Sequence, residues 1–107
     1  IMRVAISLLL LMSFAISAKA ADADTDQLKT LLMRNNCMAC HMIDKRKYGP
    51  NMVEIAQKYA NETGMAEKLA KKIKAGGTGV WGEDIMPPQQ VSDADALTIA
   101  KLVLSLK

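Results

Sequence analysis

Apolar residues recur at helical spacing in four stretches of the chain. The first stretch, which Asp24 can cap, stops before Asn35 and has three leucines on one face: Leu28, Leu31 and Leu32. The second predicts a helix over residues 52–60, with Asn51 as its N-cap. We expect its inward face to consist of Met52, Ile55, Ala56 and Tyr59.

The other two stretches complete the same pattern. The third predicts a helix over residues 65–75 that Gly76 and Gly77 end, because glycine tolerates the left-handed conformation found after helices. The last helix begins after the N-cap Ser92 and continues to the C-terminus. No stretch alternates as a half-buried strand does, so the sequence predicts an all-α fold of about four short helices.

The first twenty residues have the pattern of an export signal. Arg3 is followed by an apolar run over residues 4–16 and by Ala18-Lys19-Ala20, the small-x-small pattern of a signal peptidase site. A membrane span needs ~20 apolar residues, which is more than this run provides. We therefore predict a cleaved secretory signal peptide at residues 1–20 and a single exported domain at residues 21–107. A retained N-terminal anchor is the alternative.

Charge and composition change this interpretation in two ways. The net charge of +3 includes Arg3 and Lys19, and the predicted domain keeps only +1, which gives no indication of a nucleic-acid partner. A domain of this size often needs a disulfide, metal or cofactor for stability. Its only aromatic residues are Tyr48, Tyr59 and Trp81, so a large flat group could fill the core instead.

The segment CMACH carries the chemistry. Cys37 and Cys40 have the spacing for two thioether bonds to one edge of a porphyrin, and His41 follows where an imidazole can bind the iron. A disulfide or a redox-active dithiol is the alternative for a CxxC in an exported protein, but the thioredoxin-like version lies beside a βαβ pattern that is missing here. Zinc would need four ligands, and this chain has one histidine and one cysteine pair.

A second axial ligand for the iron can be sought among the methionines. Those at positions 33, 38 and 42 lie too close to CMACH, and Met52 and Met65 occupy apolar helix positions, as core methionines do. Met86 lies in the long loop between the last two helices, and Pro87 and Pro88 stiffen the backbone after it. We therefore favour Met86, since His/Met ligation is typical of electron-carrying cytochromes c.

The chain resembles the small bacterial class I cytochromes c, which are short periplasmic electron carriers. The resemblance extends over residues 27–107 and rests on the segments CMACH, YGP, KIKAGGTGVWG, MPP and VSDADA. It implies the class I cytochrome c fold, with about four short helices around one haem c that is covalently attached through Cys37 and Cys40.

The resemblance also implies roles for individual residues. His41 and Met86 would be the axial ligands, and the carbonyl of Pro50 would accept a hydrogen bond from His41. Trp81 would donate its indole N–H to a haem propionate; core packing is the alternative. Lys72 stands where the family has a basic residue that can face a propionate; a solvated helix face is the alternative.

Some positions depart from the family pattern. Ile85 stands where proline usually precedes the ligand methionine, and Gln89 stands where asparagine commonly follows the two prolines. Aliphatic residues, Leu32 and Leu102, replace aromatic residues of the first and last helices. None of these changes removes a ligand, but they bear on the orientation of Met86 and on helix pairing.

The function that the resemblance implies is one-electron transfer by a monomer, not enzymatic catalysis. The donor would be a membrane quinol-oxidising complex, and the acceptor a terminal oxidase, nitrite reductase or peroxidase. We expect no stable membrane insertion after signal cleavage. A haem enzyme or gas-binding haem protein with a labile sixth site, and then a dithiol oxidoreductase, are the alternatives. Docking is expected around the exposed haem edge, at Met38, Ala39, Met42, Val80, Ile85, Pro87 and Pro88, with Lys45, Arg46 and Lys47 nearby.

Overall fold

The regular structure of the chain is helical. The computed structural model describes residues 17–107, which contain a short 3₁₀ turn at Cys37–Ala39 and no strand. The helices are α1 (Ser17–Arg34), α2 (Met52–Tyr59), α3 (Met65–Ala75) and α4 (Asp93–Leu104). The all-α prediction is confirmed, and α2 and α3 end within one residue of their predicted limits. Most of the predicted signal peptide, residues 1–16, lies outside the described residues.

The start of α1 differs from the prediction. Asp24 was expected to cap this helix, but α1 begins at Ser17 and Asp24 lies inside it, so that prediction is wrong. The segment SAKAADA before Thr25 is rich in alanine, which has the highest helix propensity, and it continues the helix toward the N-terminus. Within residues 17–107, no helix is both long and apolar enough to cross a membrane.

Side-chain caps determine where α2 and α4 begin. The Asn51 side chain accepts a hydrogen bond from the Glu54 N–H at 2.7 Å, and the Glu54 carboxylate accepts one from the Asn51 N–H at 2.9 Å. This reciprocal pair is a capping box. At α4, the Ser92 hydroxyl accepts from the Asp95 N–H at 3.0 Å. Both predicted N-caps are confirmed.

The core lies around α4, which packs against α1, α2 and α3. Leucines of α1 and aliphatic residues of α4 form most of it, and Met52 of α2 and Val91 complete the cluster. On the surface, Arg34 at the end of α1 pairs with Asp95 in the first turn of α4 at 2.8 Å. The buried residues of this core cluster are Leu28, Leu31, Leu32, Met52, Val91, Ala96, Ile99 and Val103.

Truncating Leu28 should test this core. Its side chain has 0% exposure, so Leu28→Ala removes packed atoms from the contact of α1 with α4. We expect the free energy of unfolding to fall by ~2–5 kcal/mol. The exposed neighbour Lys29 provides the control, and Lys29→Ala should stay within ~0.5 kcal/mol of the parent protein. Chemical denaturation followed by circular dichroism measures both, and equal values would contradict the packing described here.

Candidate cofactor site

A large apolar cavity lies beside the core. Its volume is about 390 Å³, within the range of small-molecule sites. Helices α2, α3 and α4 form its walls together with the turn at residues 36–40 and two loops, residues 41–50 and residues 76–91. Several apolar side chains of α2 and α3 are only half-buried because they border this cavity. They are Ile55, Tyr59, Leu69 and Ile73. An apolar group in the cavity would remove their remaining surface from water.

All seven residues that the sequence analysis proposed for the site line this one cavity. They come from segments far apart in sequence, and the fold brings them together. They are Cys37, Cys40, His41, Pro50, Lys72, Trp81 and Met86.

The His41 ring is held in one orientation. It is 9% exposed, and its Nδ1 lies 2.7 Å from the carbonyl oxygen of Pro50. A carbonyl can only accept a hydrogen bond, so Nδ1 carries the proton and donates it. The proton on Nδ1 leaves Nε2 with a free lone pair, which is the form in which a neutral imidazole binds a metal.

Gly49 packs directly against this ring, and the sequence analysis did not identify it as a site residue. A Cβ at Gly49 would lie 2.5 Å from Cε1 and 2.8 Å from Nδ1 of His41. The Gly49 N–H also donates to the Cys40 carbonyl at 2.9 Å. Only a glycine allows the chain to pass this close to the imidazole, and the YGP segment was the signal that could have indicated it.

No disulfide joins Cys37 and Cys40. Cys37 is half-buried, and its thiol donates weakly to the Asn35 carbonyl at 3.8 Å. Burial raises the pKa of Cys37, and a backbone hydrogen bond offsets this only in part. Redox-active dithiols have a lowered thiol pKa, so the environment of Cys37 does not favour that alternative. In residues 17–107, no group of three or more His, Cys, Asp or Glu side chains is arranged to hold a metal ion.

Backbone hydrogen bonds fix the position of Met86. The Gly77 N–H donates to the Met86 carbonyl at 2.9 Å, and the Met86 N–H donates to the Gly77 carbonyl at 2.8 Å. Gly76 has a φ of 69°, and a Cβ there would collide with the Met86 carbonyl. The sequence did not predict that Gly77 pairs with Met86, because no sequence motif indicates a backbone contact between these two positions of the loop.

Ile85 and Gln89, the two residues near Met86 that depart from the family pattern, have different surroundings. Ile85 is 76% exposed, so it contributes little to packing. The Gln89 side-chain amide donates to the Pro87 carbonyl at 2.7 Å, and the Gln89 backbone N–H donates to the Lys74 carbonyl at 3.2 Å. Gln89 therefore secures the backbone just after Met86 to the end of α3.

One other methionine, Met52, also lines the cavity. It is 4% exposed and belongs to the core cluster. Its N–H donates to the Met42 carbonyl at 3.0 Å, and it follows Pro50 by two residues. Met52 is therefore connected through its backbone to the loop that carries His41, whereas Met86 lines the cavity from a separate loop.

Trp81 and Lys72 border the same cavity. Trp81 is half-buried and meets Tyr59 edge to face, with ring centroids 6.5 Å apart, while the Lys58 ammonium lies 5.5 Å from the Trp81 ring. Trp81 is not part of the core cluster, so packing in the core is not a sufficient explanation for this residue. Lys72 is exposed, and its ammonium lies 3.3 Å from where a Cβ at Gly77 would be.

Comparisons with known proteins show what this chain is similar to. The cytochrome c family model matches residues 27–107. The chain is 48% identical to cytochrome c-551 of Azotobacter vinelandii, over 72% of this chain and 94% of that protein. It is also 48% identical to cytochrome c-552 of Nitrosomonas europaea, over 81% of this chain and 82% of that protein. The crystal structure of wild-type Nitrosomonas europaea cytochrome c552 superposes with a TM-score of 0.72 over 74% of this chain and 99% of that one.

Gly49→Ala should disturb His41 specifically. The added methyl group would overlap the imidazole, so either the ring or the YGP backbone must move. We expect a loss of ~1–3 kcal/mol in the free energy of unfolding and a change in the Nδ1–H proton resonance. Gly64→Ala is the control for the His41 resonance, because no atom lies within 4 Å of the added Cβ. Gly64 has a φ of 71°, so its substitution strains the backbone without touching the imidazole. An unchanged His41 resonance in Gly49→Ala would contradict the close approach.

Proposed function

This chain belongs to the cytochrome c family, and from that premise we propose residue roles, a location and partners for it. Its relatives, the cytochromes c-551 and c-552, are small electron carriers. Like them, it is an electron-transfer protein with a covalently attached haem c, and it is not an enzyme. The relatives support neither a haem enzyme or gas-binding protein nor a dithiol oxidoreductase.

The proposal assigns the attachment and the axial ligands. Cys37 and Cys40 would form the thioethers, Nε2 of His41 would be the proximal ligand and the Met86 thioether the distal one. The observation that carries this assignment is that all of these residues line one apolar cavity, with Nδ1–H of His41 held by Pro50. When bound, the haem iron supplies a one-electron couple between its ferrous and ferric states.

The protein would tune this couple and keep its geometry constant. Met86, as a soft thioether ligand, would raise the reduction potential. The His41–Pro50 hydrogen bond makes the imidazole a stronger donor. The paired hydrogen bonds of Gly77 and Met86 hold the loop by backbone contacts that do not depend on the charge of the iron. Rearrangement on electron transfer would therefore be small.

Two more residues would contact the propionates. We propose that the indole N–H of Trp81 donates to one propionate and that Lys72 faces a propionate from the end of α3. Both side chains border the cavity, and Lys72 adds a positive charge there. Of the two, Lys72 is the more exposed, so its interaction would be the weaker one.

The docking surface would surround the mouth of the cavity. Tyr48, Val80 and Ile85 both line the cavity and are exposed, and Met42 is exposed nearby in sequence. Tyr48 was not among the docking residues expected from the sequence, and Met38, which was, is half-buried against the core cluster. Redox encounters are small and transient, so this apolar patch with the adjacent basic residues 45–47 would suffice.

For the partners, we propose a quinol-oxidising complex as donor and a terminal oxidase, nitrite reductase or peroxidase as acceptor. The protein would act as a periplasmic monomer after removal of residues 1–20. In the described structure, α1 runs through the predicted cleavage site between Ala20 and Ala21. The peptidase would therefore act on the chain before this part of α1 forms.

Cleavage after Ala20 can be measured on the exported protein. N-terminal sequencing should begin at Ala21, because a small residue is required just before the cleaved bond. Ala20→Leu should block processing and leave the precursor mass, whereas Lys19→Ala, at the unconstrained middle position, should be processed normally. Normal processing of Ala20→Leu, or retention of residues 1–20 in the parent protein, would contradict the proposed signal peptide.

Replacing Met86 tests the distal ligand. Met86→Ala should abolish the weak sulfur-to-iron band at the red end of the ferric spectrum. The reduction potential should fall by on the order of 0.1 V or more, since axial ligands set haem potentials over roughly 0.8 V. Met33→Ala is the control, because its thioether is 69% exposed on α1. If the band persists in Met86→Ala and disappears in Met52→Leu, Met52 is the ligand instead.

A further inference from the structure

Arg46 connects the two loops that enclose the cavity. It lies in the loop of residues 41–50, between His41 and Pro50, and its Nη2 donates to the Trp81 carbonyl at 2.6 Å. Trp81 lies in the loop of residues 76–91, which carries Met86. Among the described residues, no other hydrogen bond joins these two loops directly.

The position of Arg46 is set from the start of α2. Its Nε lies 3.8 Å from a carboxylate oxygen of Glu54. The same Glu54 oxygen accepts the Asn51 N–H, and the Glu54 N–H donates to the Asn51 side chain. Glu54 is therefore anchored by its own capping box, and the guanidinium is aligned between a fixed carboxylate and the Trp81 carbonyl.

The Met86 loop is otherwise closed mainly by contacts within itself. The Thr78 hydroxyl lies 3.1 Å from the Glu83 carbonyl and 3.3 Å from the Asp84 carbonyl, and the Gly79 N–H donates to the Gly82 carbonyl at 2.9 Å. These bonds give the loop its shape. They do not attach its outer turn, where Trp81 lies, to the His41 side of the molecule.

We propose that Arg46 is a positioning residue, whose hydrogen bond to the Trp81 carbonyl keeps the loop of residues 76–91 closed over the cavity and so keeps Met86 on the iron. This inference rests on the proposed role of Met86. Opening of the loop would require the loss of a charge-assisted hydrogen bond, which is stronger than a hydrogen bond between neutral groups. Arg46 is 53% exposed, so solvent reduces the effect.

The test uses the ferric holoprotein and exogenous imidazole as the probe. Imidazole can bind the iron only when Met86 is displaced, so its association rate reports loop opening. Arg46→Ala should raise this rate about three- to tenfold, the range for one partly exposed charge-assisted bond. Arg46→Lys keeps the charge and one donor but not the planar fork, so it should give an intermediate rate.

The matched control is Lys45→Ala. Lys45 is the exposed neighbour of Arg46, and it has no hydrogen bond or ion pair among the described residues. Replacing it with alanine removes one positive charge, as Arg46→Ala does. Its imidazole association rate should equal that of the parent protein. If Arg46→Ala and Lys45→Ala bind imidazole equally fast, Arg46 is only a surface charge and the proposal is overturned.

Amide hydrogen exchange provides a second readout, independent of imidazole binding. Arg46→Ala should speed exchange at the Gly77 and Met86 amides severalfold while leaving Ala100, buried in α4, unchanged. Equal acceleration at Ala100 would indicate a general loss of stability and contradict a positioning role. If the parent protein lacks the sulfur-to-iron band, the Met86 assignment fails, whereas the exchange data still decide whether Arg46 closes the loop.

Discussion

The hydrogen bond from Nδ1–H of His41 to the Pro50 carbonyl is the interaction on which the rest of the site depends. It spans 2.7 Å, and with the proton on Nδ1 the neutral ring has its lone pair on Nε2, the nitrogen that can bind a metal. The loop that makes it is short, and Gly49 must pass against the imidazole for Pro50 to reach Nδ1. This one hydrogen bond within a ten-residue loop thus determines which nitrogen of His41 faces the cavity with a lone pair.

The part of the site that contains Met86 depends on backbone pairing. Met86 is held by two hydrogen bonds to Gly77, next to a glycine that no larger residue could replace without a collision. This arrangement places a flexible thioether side chain on a constrained backbone. Arg46 then links the Met86 loop to the His41 loop by a direct hydrogen bond to the Trp81 carbonyl. Coupling of this kind favours a constant geometry, which an electron carrier needs.

Local signals predicted most of the fold. Asn51 and Ser92 cap the helices that they were expected to cap, because a side-chain cap acts within four residues and needs no tertiary contact. The prediction that Asp24 caps α1 was wrong. The alanine-rich segment before Asp24 has a high helix propensity, so the helix continues past this local cap signal toward the N-terminus. The contact of Gly49 with His41 was also missed, because it depends on how closely two backbone segments approach.

The amino-acid sequence by itself determined the helices, the attachment motif and the family, since each of these depends on residues that are close together along the chain. It also indicated Met86, through the stiff loop around it. Tertiary structure alone decided that Cys37, His41, Trp81 and Met86 share one cavity. It also decided that Gly77 pairs with Met86 and that Arg46 reaches Trp81, thirty-five positions away. Such contacts have no sequence period, because they arise only when α4 brings the other helices together around the core.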